Sequence, residues 1–195
     1  MIKTIKELIK ESIHVKELLL ETQVHNIQKV ANVIISSVKK GGKVIVFGNG
    51  GSAADSQHIV AELVGRFRKE KIPLPAIALT TNTSILTALA NDYGYETVFS
   101  KQIEAIGSKK DVVIGISTSG KAKNVINAVV TARKLGIRTI SFTGKKGIHF
   151  AKLTDISIVV PSENTARIQE AHITIGHIIC QLIEEAFLKK QCILK

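Results

Sequence analysis

Tryptophan is absent and aromatic residues make up only 4% of the 195-residue chain, which leaves few platforms for stacking nucleic-acid bases. Cysteine is nearly absent: Cys180 and Cys192 have no metal-type spacing and cannot build a disulfide framework, which suits a reducing cytosol. Cys180 reads as core. The longest apolar runs, such as Ile156–Val160, fall far short of the roughly 20 residues of a membrane-spanning helix. Met1–Ser12 interleaves apolar residues with Lys and Glu and lacks the unbroken apolar centre of a secretory signal. The expectation is a soluble, cytoplasmic chain without a membrane partner. Acidic residues are also scarce, 16 Asp and Glu against 27 Lys and Arg, for a net charge of +11. That balance suits anionic partners, but the lysines are spread rather than clustered, so a basic solvated surface is the plainer reading and nucleic acid is not expected.

What is present is apolar material in two different periods. Ile2, Ile5, Leu8, Ile9 and Ile13, then Val24, Ile27, Val30, Ala31 and Ile34, recur at helical spacing and predict two leading amphipathic helices. From Lys43 the pattern changes to short β-branched runs: Lys43–Phe47, Ala76–Leu79, Val112–Ile116, Arg138–Phe142 and Ile156–Val160. Helix-length segments separate them, near Ala53–Arg66, Thr83–Asn91, Val98–Ile106 and Ala122–Leu135, with a long last helix near Ala166–Lys189. The alternation predicts one α/β domain with a parallel five-stranded sheet flanked by helices. Such sheets bind ligands beyond the carboxyl ends of their strands.

Two loops stand at those ends. Gly48-Asn49-Gly50-Gly51-Ser52 opens a helix, where glycines let the backbone approach an anion and the helix N–H groups and dipole favour negative charge. Ser117-Thr118-Ser119-Gly120 repeats the arrangement with three hydroxyl donors. Either alone could be a plain strand-to-helix turn; both together point to a phosphate. Gly48, Gly50 and Ala53 also fit a dinucleotide fingerprint, but Leu79-Thr80-Thr81-Asn82 offers no acidic residue for a ribose hydroxyl.

His58 and Glu62 are four residues apart, so they share one face of the helix leaving the first loop. Gln169 and His177 lie eight apart on the last helix, about 80° around its axis, and can point at one cavity. Imidazole with carboxylate suits zinc or a similar transition metal. Spacing alone fits equally a helix-surface pair and a core histidine beside Ile178 and Ile179, and that plainer reading is the one spacing favours.

Four segments carry a resemblance: GNGGSAADSQHIVAEL from Gly48, LTALANDYGYE from Leu86, GISTSG from Gly115 and ARIQEAHITIGHII from Ala166. In order and separation they resemble the phosphoheptose isomerases of the SIS sugar-isomerase family, over nearly the whole chain. The resemblance reverses the preference for the plainer reading. It implies a single SIS domain over residues 1–195, with N-terminal helices over 1–40 and an α/β core over 41–195. It implies a homotetramer with sites formed between subunits, a seven-carbon sugar-phosphate substrate, and one Zn2+ per subunit held by His58, Glu62, Gln169 and His177. Substrate contacts would come from Asn49, Gly50, Gly51, Ser52, Glu62, Asn91, Asp92, Ser117, Thr118, Ser119 and Gln169, with Glu62 and His177 as the proton-transfer pair. The implied reaction is aldose–ketose isomerisation through an enediol, supplying heptose for a surface glycan such as lipopolysaccharide.

Two positions depart from the family pattern. Ala166 stands where some members carry aspartate, and Ala122 where some carry a further serine, whose place a backbone N–H or Lys121 would take. Ala166 is shared with a tetrameric factor that associates with the replication initiator DnaA, so a binding-only paralogue is the alternative. The set His58, Glu62, Gln169 and His177 argues for the enzyme. A five- or six-carbon sugar-phosphate isomerase remains a further option within the fold.

Overall fold

The computed structural model describes residues 1–191; Cys192 lies outside them. Two helices lead, α1 (Ile2–Thr22) and α2 (Val24–Lys39), as the periodicity predicts. Their apolar stripes are used differently. α2 buries Ile27, Val30, Ala31 and Ile34, whereas α1 buries only Val15 and Leu19 and leaves Ile2, Ile5, Leu8, Ile9 and Ile13 exposed.

Five strands follow, β1 (Val44–Gly48), β2 (Ala76–Ala78), β3 (Val112–Ser117), β4 (Arg138–Gly144) and β5 (Ile156–Val160). All pairings are parallel, in the spatial order β2-β1-β3-β4-β5. Between and after them run α3 (Gly51–Val64), α4 (Thr83–Tyr93), α5 (Ser100–Ile106), α6 (Lys123–Lys134), the short α7 (Ile148–Ala151) and α8 (Thr165–Gln191). The expected parallel sheet flanked by helices is present, with strand ends within two residues of those predicted.

Burial on both faces explains the unbroken apolar strands. Val44, Val46, Ile114, Ile140 and Phe142 pack with residues of α2, α3 and α8, while Ile45, Phe47 and Val113 meet those of α5 and α6. Two local differences from the sequence reading have physical causes. α3 begins two residues early because Gly50, at φ +55°, completes the turn and Gly51 is already helical. The helix expected over Val98–Ile106 starts two residues later, as α5 at Ser100, because a 3-10 turn at Tyr95–Thr97 precedes it, with the Thr97 hydroxyl donating back to the Gly94 carbonyl at 2.9 Å.

The strand order places the topological switch between β1 and β3, whose connections leave in opposite directions. The two predicted loops lie at the carboxyl ends of these strands, the place where open parallel sheets bind their ligands.

Candidate active site

Asn49 and Gly50 carry the chain from β1 into α3, and the Ser52 N–H donates to the Asn49 carbonyl at 3.0 Å. The first turn of α3 thus stands at the sheet's carboxyl end, where the helix dipole favours an anion. Gln169 of α8 lies over this turn: a Cβ on Gly51 would strike its amide. Ser52 is buried, and its carbonyl accepts the Ser56 hydroxyl at 2.7 Å.

Across the switch, Ser117 ends β3 and is buried, Thr118 is half-buried and Ser119 is exposed. The Gly120 N–H donates to both oxygens of Ser117 at 3.2 Å, and the Thr118 carbonyl accepts from Gly144 at 3.0 Å, tying this loop to β4. The Lys121 N–H donates to Ser119 Oγ at 3.3 Å, and Ala122 caps α6 without a side-chain bond. Asn91 and Asp92 sit exposed in the last turn of α4, bonded to each other at 2.9 Å; among the described contacts none joins them to the loops. Ala166 is exposed in the first turn of α8.

The metal-type residues meet where α3 packs on α8. Gly176 permits this approach, since a Cβ there would lie 2.8 Å from Ile59 Cγ1. His58 Nε2 is then 3.2 Å from Glu62 Oε1 and 3.3 Å from His177 Nε2, and the donor atoms of all three residues lie within 4.8 Å of one another. His177 is half-buried and turned toward His58, not into the core beside Ile179. Two imidazole nitrogens and a carboxylate oxygen converging at this separation fit a transition metal such as zinc. Gln169 keeps to the loop side of the site, against Gly51. Asp55 follows the first turn of α3, and burial pushes its carboxyl up to about 6 while His58 opposes the shift.

Sequence reasoning missed several contributors. Asn124, at the start of α6, forms a reciprocal amide pair with Asn49 at 2.9 Å in both directions. Tyr95 reaches Asn49 Oδ1 at 3.4 Å. The Phe67 ring lies tilted against His177, centroids 5.7 Å apart, and its loop is tethered by Glu184, which accepts from the Arg68 and Lys69 N–H groups at 3.0 Å. The signal for Asn124 was faint: an Asn entering a helix ordinarily reads as a surface cap.

Residues 7–144 match the family model of the SIS domain. The chain is 54% identical over 185 residues to the phosphoheptose isomerase of Aquifex aeolicus, covering 95% of this chain and 97% of that one. This chain belongs to the phosphoheptose isomerase family. Solved structures agree: the phosphoheptose isomerase of Neisseria gonorrhoeae superposes with a TM-score of 0.89 at 41% identity, covering 94% of this chain and 98% of that one. That of Francisella tularensis gives 0.91 at 36%, with the same coverage. Among the described residues no helix is long and apolar enough to cross a membrane.

Proposed function

We propose that this chain converts D-sedoheptulose 7-phosphate into D-glycero-D-manno-heptose 7-phosphate, the opening step of ADP- or GDP-heptose synthesis in the bacterial cytoplasm. The observation that carries the reading is the meeting of Glu62 and His177 beside a two-loop anion cradle. The cradle, drawn from Asn49 to Ser52 and Ser117 to Ser119, holds the phosphate and so fixes the reacting carbons at the other end of the sugar.

Ketose-to-aldose conversion takes a proton from C1 and returns one at C2, while a second proton passes between the two oxygens. Glu62 is suited to the carbon-to-carbon transfer and His177 to the oxygens. His58, Glu62, Gln169 and His177 would hold zinc, which when bound supplies Lewis-acid stabilisation of the oxygen that gains charge. One lone pair on His177 Nε2 would serve either the metal or the proton, so its proton-transfer role would require that nitrogen to be off the metal. Asn91 and Asp92 join the site as substrate contacts across a subunit boundary, in a homotetramer supported by the uncovered apolar stripe of α1.

The test is direct assay. Wild-type protein should form the aldose from sedoheptulose 7-phosphate, lose activity to a chelator and regain it with zinc. Glu62→Gln and His177→Gln should each lower kcat by about 10²–10⁴-fold with the fold intact. Near-normal turnover in both variants would remove the assigned roles. Absence of turnover in the wild type, with binding to DnaA, would establish the paralogue instead.

A further inference from the structure

We infer that Asn124 is a positioning residue that clasps the two phosphate loops into one cradle, acting through Asn49. The inference rests on the reading of these loops as a phosphate site. Asn124 Nδ2 donates to Asn49 Oδ1 at 2.9 Å, and Asn49 Nδ2 donates to Asn124 Oδ1 at 2.9 Å. Asn124 Oδ1 also accepts the Val125 N–H at 2.9 Å, which fixes the orientation of its amide. Asn49 Oδ1 takes its second bond from the Tyr95 hydroxyl at 3.4 Å. Asn124 is only 4% exposed, so water competes poorly for the pair.

Two consequences follow from the atom count. Both acceptor positions of the Asn49 amide and one of its two N–H groups are used inside the protein, so its side chain can offer substrate one N–H at most. Asn49 therefore serves the phosphate mainly through the backbone it holds in place. The second consequence is geometric. β1 and β3 are held in register up to Gly48 opposite Ile116. Beyond that pair the loops diverge into separate helices, and the Asn49–Asn124 clasp sets the spacing between their donors. An anion bound by donors on both loops responds steeply to that spacing.

Asn124→Asp is the sharp test, because it preserves size and the oxygen that accepts from Asn49 and Val125. Its second oxygen would replace the donor facing Asn49 Oδ1, exchanging a hydrogen bond for repulsion and adding charge beside an anion site. Asn124→Ala removes both bonds. Each variant should raise KM for the sugar phosphate, and Kd for inorganic phosphate measured by calorimetry, by about tenfold or more, aspartate exceeding alanine. kcat should stay within about threefold and zinc content should be unchanged, because the metal residues lie on α3 and α8. Asn49→Ala combined with Asn124→Ala should weaken phosphate binding no further than Asn49→Ala alone.

A folded Asn124→Asp protein with unchanged KM and phosphate affinity overturns the inference. So do additive effects in the double variant, or kcat and melting temperature falling together while KM holds, which marks a merely structural role. If the wild type binds phosphate through this clasp yet turns over no heptose phosphate, the proposed reaction falls and the clasp stands.

Discussion

His172 and His177 sit five residues apart on α8, and their surroundings give them opposite chemistry. His177 turns to His58 at the site, whereas His172 is fully buried against Phe142, ring centroids 5.8 Å apart, with Nε2 donating to the Thr143 carbonyl at 3.4 Å. That tautomer leaves Nδ1 a bare acceptor, without a partner among the described residues. Burial pulls the His172 pKa from 6.5 down to about 4, and the Thr143 bond opposes only part of the shift. The unfolded chain thus takes up this proton at higher pH than the folded one. Its stability is fully present above about pH 6.5 and declines as pH falls toward 4. His172→Gln can keep a donor near Thr143 but does not titrate. It should cost about 1 kcal/mol at pH 7.5, yet lose about 2 kcal/mol less than wild type between pH 7.5 and 4.5. Urea midpoints at both pH values, with chelator present, check this; parallel losses would reject it. Nothing in the alternation of Ile and His around these positions tells the two imidazoles apart, because their difference lies in what α3 and β4 bring to them.

α8 as an element depends on a residue that contributes no side chain. Gly176 lies inside a 27-residue helix, where glycine costs about 1 kcal/mol relative to alanine, so packing must account for it. A Cβ there would press on Ile59, which is 3% exposed and one residue from His58. Gly176→Ala should regain about 1 kcal/mol of helix propensity and lose about 1–3 kcal/mol to overpacking, for a small net change in stability. Its effect on the site should be larger, because pushing α8 from α3 separates His177 from His58. A zinc affinity at least about tenfold weaker, with a melting temperature within a few degrees of wild type, is the expected pairing; unchanged affinity would show that the helices absorb the methyl without moving. The elements themselves are largely legible in the sequence. β1, β3 and β4 announce themselves as β-branched runs because both faces are buried, and β5 is read to the residue. The short turn at Tyr95–Thr97 and α7 are not legible, since three or four residues carry no period. The candidate site divides similarly. His58 and Glu62 are paired by helical spacing alone, but their meeting with His177 and the link from Asn49 to Asn124 cross 119 and 75 residues of chain. Only the resemblance set His177 at the site over the core reading that spacing favours, and Asn124 carried no more than the faint signal of a helix cap.

For the whole molecule, the unexplained surface is the outward face of α1. Ile2, Ile5, Leu8, Ile9 and Ile13 are between 46% and 73% exposed and follow one helical stripe, an arrangement a solitary soluble chain rarely keeps. The stripe is not loosely attached. Ser12 donates to Glu170 at 2.7 Å and Arg167 to the Leu8 carbonyl at 2.8 Å, so α1 is fastened to the first turns of α8, next to Gln169. Covering the stripe with another copy of the chain would steady the turn that lies over the cradle, which links assembly to activity by a route separate from the Asn91 and Asp92 contacts proposed across the subunit boundary. Introducing charge with Ile5→Glu and Ile9→Glu together should cost several kcal/mol at such an interface, since two carboxylates would be desolvated without partners. The fold of one subunit should survive, because neither side chain is buried within it. Light scattering after gel filtration should show a particle smaller than the proposed tetramer, and kcat/KM should fall by about tenfold or more as the Gln169 turn loosens. A double variant that keeps the wild-type mass would show that the stripe is not the subunit contact. One that dissociates yet retains full activity would leave the interface in place and cut its link to the site.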